Sequence, residues 1–137
     1  MLENVCLAIK IALDMNISKK VIEKTLPKLS FEGRFQYLDK GKIKNKLQKN
    51  EVIMIDGAHA TADAKNLADY LKKIKIPKYG IWAMTKNKDP DLFIKQFKGV
   101  FKKIVTMPIE NEFNSVSVNK LYKACLLYTS DAADDDH

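Results

Sequence analysis

The feature that most restricts the fold is an alternation. From residue 52 onward, short apolar runs rich in β-branched side chains take turns with longer stretches whose apolar residues recur every three or four positions. Such short runs read as buried strands, and the three-to-four spacing reads as helices with one apolar face. The series is strand 52–55, helix 61–76, strand 79–84, helix 90–98, strand 103–107 and a last helix from 118. Strands separated by helices imply an α/β domain, Rossmann-like, with a mostly parallel sheet, right-handed crossovers and flanking helices. In such sheets ligands bind beyond the carboxyl ends of the strands. Two polar loops, 56–59 and 85–88, fall at those ends and are expected on one rim.

Capping residues support the helices. Thr61 is a suitable N-cap, with Asp63 in the first turn, where an acid meets the positive helix end. Asp89-Pro90 is a strong helix start: an acid at the cap and proline at the first helical position. Gly99 is expected to end that helix, Pro108 to stop the third strand, and Ser117 to cap the last helix.

The chain before residue 52 is different. Leu2, Val5, Cys6, Ile9, Ala12 and Leu13 mark a helix over 2–15, and Asn16-Ile17 breaks it. Ser18 caps a short helix over 19–25, which Pro27 ends. This pair is too small to bury a core alone, and reads as the end of a domain whose main part lies elsewhere. In the stretch 30–37, Gly33 permits a turn and Arg34 follows it directly. Arginine presents a planar fork of donors suited to phosphate, although a Gly-Arg pair also suits an ordinary surface linker. Residues 39–50 are lysine-rich, with Ile43 and Leu47 four apart, a short helical turn or a mobile connection.

Length and composition narrow the possibilities. A chain of 137 residues is one domain, or one domain with a remnant of another. No apolar run spans a bilayer and no secretory leader is visible, so a cytoplasmic protein without membrane contact is expected. Cys6 and Cys125 stand far apart without metal-ligand spacing. The net charge is +7, yet the lysines are spread over the helical segments and Arg34 is the sole arginine. Nucleic-acid surfaces rely on arginine and exposed aromatics, so a nucleic-acid partner is not expected. A monomer is expected, although nothing in the residues fixes the oligomeric state.

The end of the chain stands apart. Residues 125–134 read CLLYTSDAAD, which resembles the translation of a transposase mosaic-end sequencing adapter. The acidic tip is alien to a lysine-rich chain. Residues 125–137 are therefore read as an adapter-derived tail, outside the fold, with the true carboxyl terminus somewhere past Ala124. The chain up to Ala124 is expected to behave like the whole.

No catalytic set emerges from the residues alone. There is no nucleophile in an activating context, no histidine pair for a metal, no Gly-Lys-Ser/Thr phosphate loop and no G-x-G-x-x-G. Asp56 suits a helix-capping carboxylate, and His59 a polar residue near a helix start. A nucleotide reading is also open: a carboxylate accepts hydrogen bonds from ribose hydroxyls, and an imidazole can lie flat on adenine.

Three ordered motifs decide more. Phe31-Glu32-Gly33-Arg34-Phe35, then Ile53-Met54-Ile55-Asp56-Gly57-Ala58-His59, then Ala83-Met84-Thr85-Lys86-Asn87-Lys88-Asp89 resemble the bifunctional folylpolyglutamate synthase/dihydrofolate synthase family of the Mur-ligase superfamily. The family patterns there are approximately P-G-R-F, I/L-L-D-G-A-H-N-P and G-M-L-x-D-K-D. Asn4 and the stretch 17–22 resemble the closing helices of that family's central ATPase domain. The resemblance implies three parts: 1–32, the helical end of the ATPase domain; 33–124, a C-terminal α/β domain; and 125–137, the tail. It implies a nucleotide site with Arg34 reaching the ATP phosphates, Asp56 on the ribose, and His59 near the adenine or the acyl-phosphate site. Lys88 would help to hold the incoming glutamate carboxylate.

The implied reaction phosphorylates a folate or dihydropteroate carboxylate with ATP and magnesium, after which the glutamate amine attacks the acyl phosphate. ATP and magnesium would be held largely by a part this chain does not contain, so the chain alone is expected to be inactive, and no catalytic residue is assigned to it. Departures touch the site: Glu32 stands where proline is common, Ala60-Thr61 replaces asparagine-proline, and Ala83 and Asn87 replace glycine and aspartate. Two other readings are a Mur-type peptidoglycan ligase, which shares Asp-x-x-His after a strand, and a non-catalytic basic α/β binding module.

Overall fold

The computed structural model describes residues 2–129, which divide into two compact units, one up to Gly57 and one from Ala58 onward. Among the described residues no helix is long and apolar enough to cross a membrane.

The first unit opens with α1 (Leu2–Asp14) and α2 (Lys19–Thr25). Between them Asn16 takes a left-handed conformation, φ 62°. Its N–H donates to the Leu13 carbonyl and that of Ile17 to the Ala12 carbonyl, each at 2.9 Å. These two bonds satisfy carbonyls that the end of α1 leaves open, with asparagine in the place glycine usually takes. The Ser18 hydroxyl accepts from the Val21 N–H, as its cap position leads one to expect. Pro27 does not stop the chain's coiling: Leu26–Lys28 form a 3-10 turn, with the proline in the first turn, where a missing N–H costs nothing.

The strand expected over 52–55 is shorter and differently paired. β1 (Gln36–Tyr37) and β2 (Met54–Ile55) form an antiparallel pair, Gln36 opposite Ile55 and Tyr37 opposite Met54. β2 therefore belongs to a sheet of its own and not to the parallel one. A two-residue partner shows no alternation, which hides β1 from a periodicity search. The lysine-rich connection between the two strands holds a 3-10 turn, Lys44–Lys46.

The second unit begins with α3 (Thr61–Lys73), then β3 (Tyr79–Trp82), α4 (Pro90–Lys95), β4 (Lys103–Thr106) and α5 (Val118–Thr129). Ala60, not Thr61, is the N-cap of α3, and no side chain caps it. α4 starts as its sequence dictates: the Asp89 carboxylate accepts from the Asp91 and Leu92 N–H groups, both at 3.0 Å, with Pro90 following. Past α4 the chain turns at Gly99, φ +69°, a conformation that favours glycine. β3 and β4 pair in parallel from Tyr79 beside Lys103 to Trp82 beside Thr106, and helices flank them, an α/β arrangement.

Strand alternation sorts the two faces of this sheet. Trp82 is buried, whereas Tyr79, Ile81 and Val105 are exposed. The core gathers Ala64, Leu67, Ala68 and Leu71 from α3, Phe93 and Ile94 from α4, and Leu121 and Ala124 from α5. Trp82 stacks on Phe93 with ring centroids 5.6 Å apart, and Phe97 leans on Phe93 at 5.3 Å. Gly80 lies against Ile104 and the Phe101 ring.

α5 runs through residues 125–129, which the sequence places in the tail. Cys125 is buried, and burial pushes its thiol above the ordinary 9.0. Residues 130–137 of that tail lie outside the described residues.

Candidate functional site

The densest knot of polar contacts in the first unit joins a turn to the end of a strand. Gly33 sits at φ +67° and Phe35 at φ +45°, so the chain bends sharply around Arg34. A non-glycine residue in that region is strained unless its surroundings hold it. Here they do. The Phe35 N–H donates to Asp56 Oδ2 at 2.8 Å, across 21 residues of sequence. The Gly57 N–H donates to the Gly33 carbonyl at 2.6 Å, and the Gly33 N–H to Gln36 Oε1 at 2.8 Å. The Arg34 N–H closes the turn onto the Phe31 carbonyl at 3.1 Å.

This lacing brings two sequence-predicted residues together. Arg34 Nη1 lies 3.8 Å from Asp56 Oδ1; the Asp56 side chain is 6% exposed and that of Arg34 40%. At that separation the pair is an ion pair rather than a hydrogen bond, so the guanidinium fork keeps donors for another anion. Gly57 completes the fit: a Cβ there would stand 3.3 Å from the Gly33 carbonyl oxygen and 3.7 Å from Arg34 Nη1. A buried acceptor beside an exposed cation can receive hydroxyl donors at one point and a phosphate at another.

The other two predicted residues lie in the second unit. His59 is exposed, on the turn that leads into α3. Lys88 is half-buried in the loop after β3, its N–H donating to the Thr85 carbonyl at 3.2 Å. That loop is tied down at several points. The Thr85 hydroxyl donates to Asn87 Oδ1 at 2.7 Å, and the Lys86 N–H to the Asn114 carbonyl at 2.6 Å. Lys86 Nζ reaches the Phe113 carbonyl at 3.3 Å and lies 5.3 Å from the centre of the Phe113 ring. Because β2 and β3 belong to different sheets, loops 56–59 and 85–88 do not follow strands of one sheet, contrary to the common rim that alternation implied. Among the described residues no three of His, Cys, Asp and Glu come together to hold a metal ion.

Sequence reasoning missed Phe35, Gln36 and Gly57 as parts of the knot. Gly57, directly after the acid, was the one available signal, since a glycine there permits close backbone approach. Nothing in the sequence marks the unusual backbone of Phe35.

No family model matches the chain, and no curated protein matches it. Solved structures do share its fold. A folylpolyglutamate synthase from Thermotoga maritima matches 82% of the chain with TM-score 0.64 and 20% identity, over 25% of its own length. The Helicobacter pylori folylpolyglutamate synthetase matches 88% with TM-score 0.60 and 23% identity, over 29% of its length. E. coli FolC, in complex with DHPP and ADP, matches 78% with TM-score 0.62 and 18% identity, over 24% of its length. The chain thus spans about a quarter of the proteins whose fold it shares.

Proposed function

We propose that the chain is the C-terminal portion of an ATP-dependent amide ligase of the folylpolyglutamate synthase/dihydrofolate synthase family, adding glutamate to dihydropteroate or folates through an acyl phosphate. The observation that carries this reading is the agreement of two signals: three motifs in family order along the sequence, and a fold shared with folylpolyglutamate synthases over most of the chain. In this reading residues 1–32 close the central ATPase domain, 33–124 form the C-terminal domain and 125–137 are foreign. The enzyme works as a cytoplasmic monomer.

The roles follow from side-chain chemistry. Arg34 offers its exposed fork to the ATP phosphates. Asp56 accepts from the ribose hydroxyls, and also fixes the turn from which Arg34 projects. His59 packs near the adenine or the acyl-phosphate site, and Lys88 holds the glutamate carboxylate. When bound, ATP supplies the phosphoryl group that turns a carboxylate oxygen into a leaving group. The metal ligands and the phosphate loop belong to the remainder of the ligase, so this chain alone turns nothing over.

The first test is the DNA upstream of residue 1. It should encode a G-x-x-G-K-S/T loop; a native stop codon directly before Met1, with no such loop, would remove the ligase reading. The second uses the intact ligase. Arg34→Ala and Asp56→Ala should each raise the KM for ATP about tenfold or more. Unchanged values would take these residues out of the nucleotide site.

A further inference from the structure

The amino ends of β3 and β4 gather lysines at the end of the sheet opposite the loop that carries Lys88. The parallel register sets Tyr79 beside Lys103, and one step earlier the Lys102 N–H donates to the Lys78 carbonyl at 2.8 Å. Lys78 and Lys102 are thereby held as neighbours on a cavity of about 420 Å³. Lys72 and Lys75 line the same cavity, Ile76 and Val100 give it apolar wall, and no carboxylate lines it.

Like charges gathered around one end of a strand pair oppose folding unless something offsets them. Two of the four have a local reason to be there. Lys72 stands in the last turn of α3, where the helix end favours a cation. Lys78 Nζ donates to the carbonyls of Ile74 at 2.7 Å and Ile76 at 3.0 Å. Lys75 and Lys102 have no such reason: both are exposed, and neither ammonium has a hydrogen-bond or ion-pair partner among the described residues.

We propose that this cavity binds a compact polyanion carrying three or more negative charges. Lysine meets phosphate or carboxylate as a point charge, without the bidentate geometry that would select between them. The small volume favours a molecule of oligophosphate or tricarboxylate size over a macromolecule. The site uses none of Arg34, Asp56, His59 or Lys88, and does not rest on the ligase reading.

The test is calorimetric titration of the full chain at low ionic strength with tripolyphosphate and, separately, with citrate. The protein should bind tripolyphosphate one to one. The double variant Lys75→Gln, Lys102→Gln should bind roughly tenfold more weakly, as two exposed charge contacts of under 1 kcal/mol each imply. A control that removes the same charge elsewhere, Lys40→Gln with Lys42→Gln, should bind like the unaltered chain. Equal binding of citrate identifies recognition by charge alone, and binding of tripolyphosphate only identifies a phosphate site; both support the proposal. It is overturned if the unaltered chain binds neither anion, if the Lys75 and Lys102 variant is unaffected, or if both double variants weaken alike.

Discussion

The two units reach order by different means. In the second, apolar residues from every helix between α3 and α5 fall below the surface, with Leu121 and Ile94 almost wholly enclosed. In the first, no described residue is fully buried, although α1 and α2 both show helical periodicity. Their apolar side chains line a shallow groove that includes Ile9, Ala12, Ile22 and Leu26. What fixes the Arg34 turn there is a set of backbone bonds ending on one buried carboxylate. Burial scales with apolar area removed from water, so the second unit has the larger cohesive term, whereas the first depends on individual polar contacts.

That contrast can be broken most directly in the core. Leu121→Ala should cost about 3 kcal/mol in urea unfolding, because the side chain is fully enclosed and a cavity remains. Ile9→Ala, in the half-buried face of α1, should cost less than about 1 kcal/mol. Equal costs would show that the first unit has a core of its own. Next in size is Asp56→Ala, which frees the Phe35 N–H and the strained turn. It should destabilise the first unit by about 1–2 kcal/mol, read as faster amide exchange at Phe35 and Gly57 with the amides of β3 unchanged. Asp89→Ala should then cost about 1 kcal/mol through the lost α4 cap, with no effect on exchange at Phe35.

The smallest effect is on pH. Burial raises the Cys125 thiol in the folded chain, so the unfolded chain releases that proton first. The stability tied to the neutral thiol is complete below the ordinary value of 9.0 and is lost as pH rises through the higher folded value. Cys125→Ala should flatten that decline in urea midpoints above pH 9, whereas replacing the exposed Cys6 should leave it. Alkylation at pH 8 should label Cys6 well before Cys125.

Legibility followed the same divide. α4 was readable because Asp89-Pro90 is a local signal, and β3 and β4 because apolar runs between helices have few other solutions. The order of strands and helices after residue 60 stands as the alternation implied. β1 was not readable, since two residues carry no period, and with it went the pairing of β2. The cap of α3 moved to Ala60 because backbone geometry, not side-chain chemistry, starts that helix. Arg34 and Asp56 were each visible as candidates, but their meeting depends on a contact that no local pattern records.

Trp82 has a consequence for anyone who follows this protein by light. It is the sole tryptophan, it lies buried against Phe93, and its indole N–H has no hydrogen-bond partner among the described residues. An indole so enclosed emits to the blue and shifts red when water reaches it. Its emission is thus a private reporter of the second unit. The helical hairpin of α1 and α2 could melt without changing that emission, and a fluorescence titration would record one transition where circular dichroism records two.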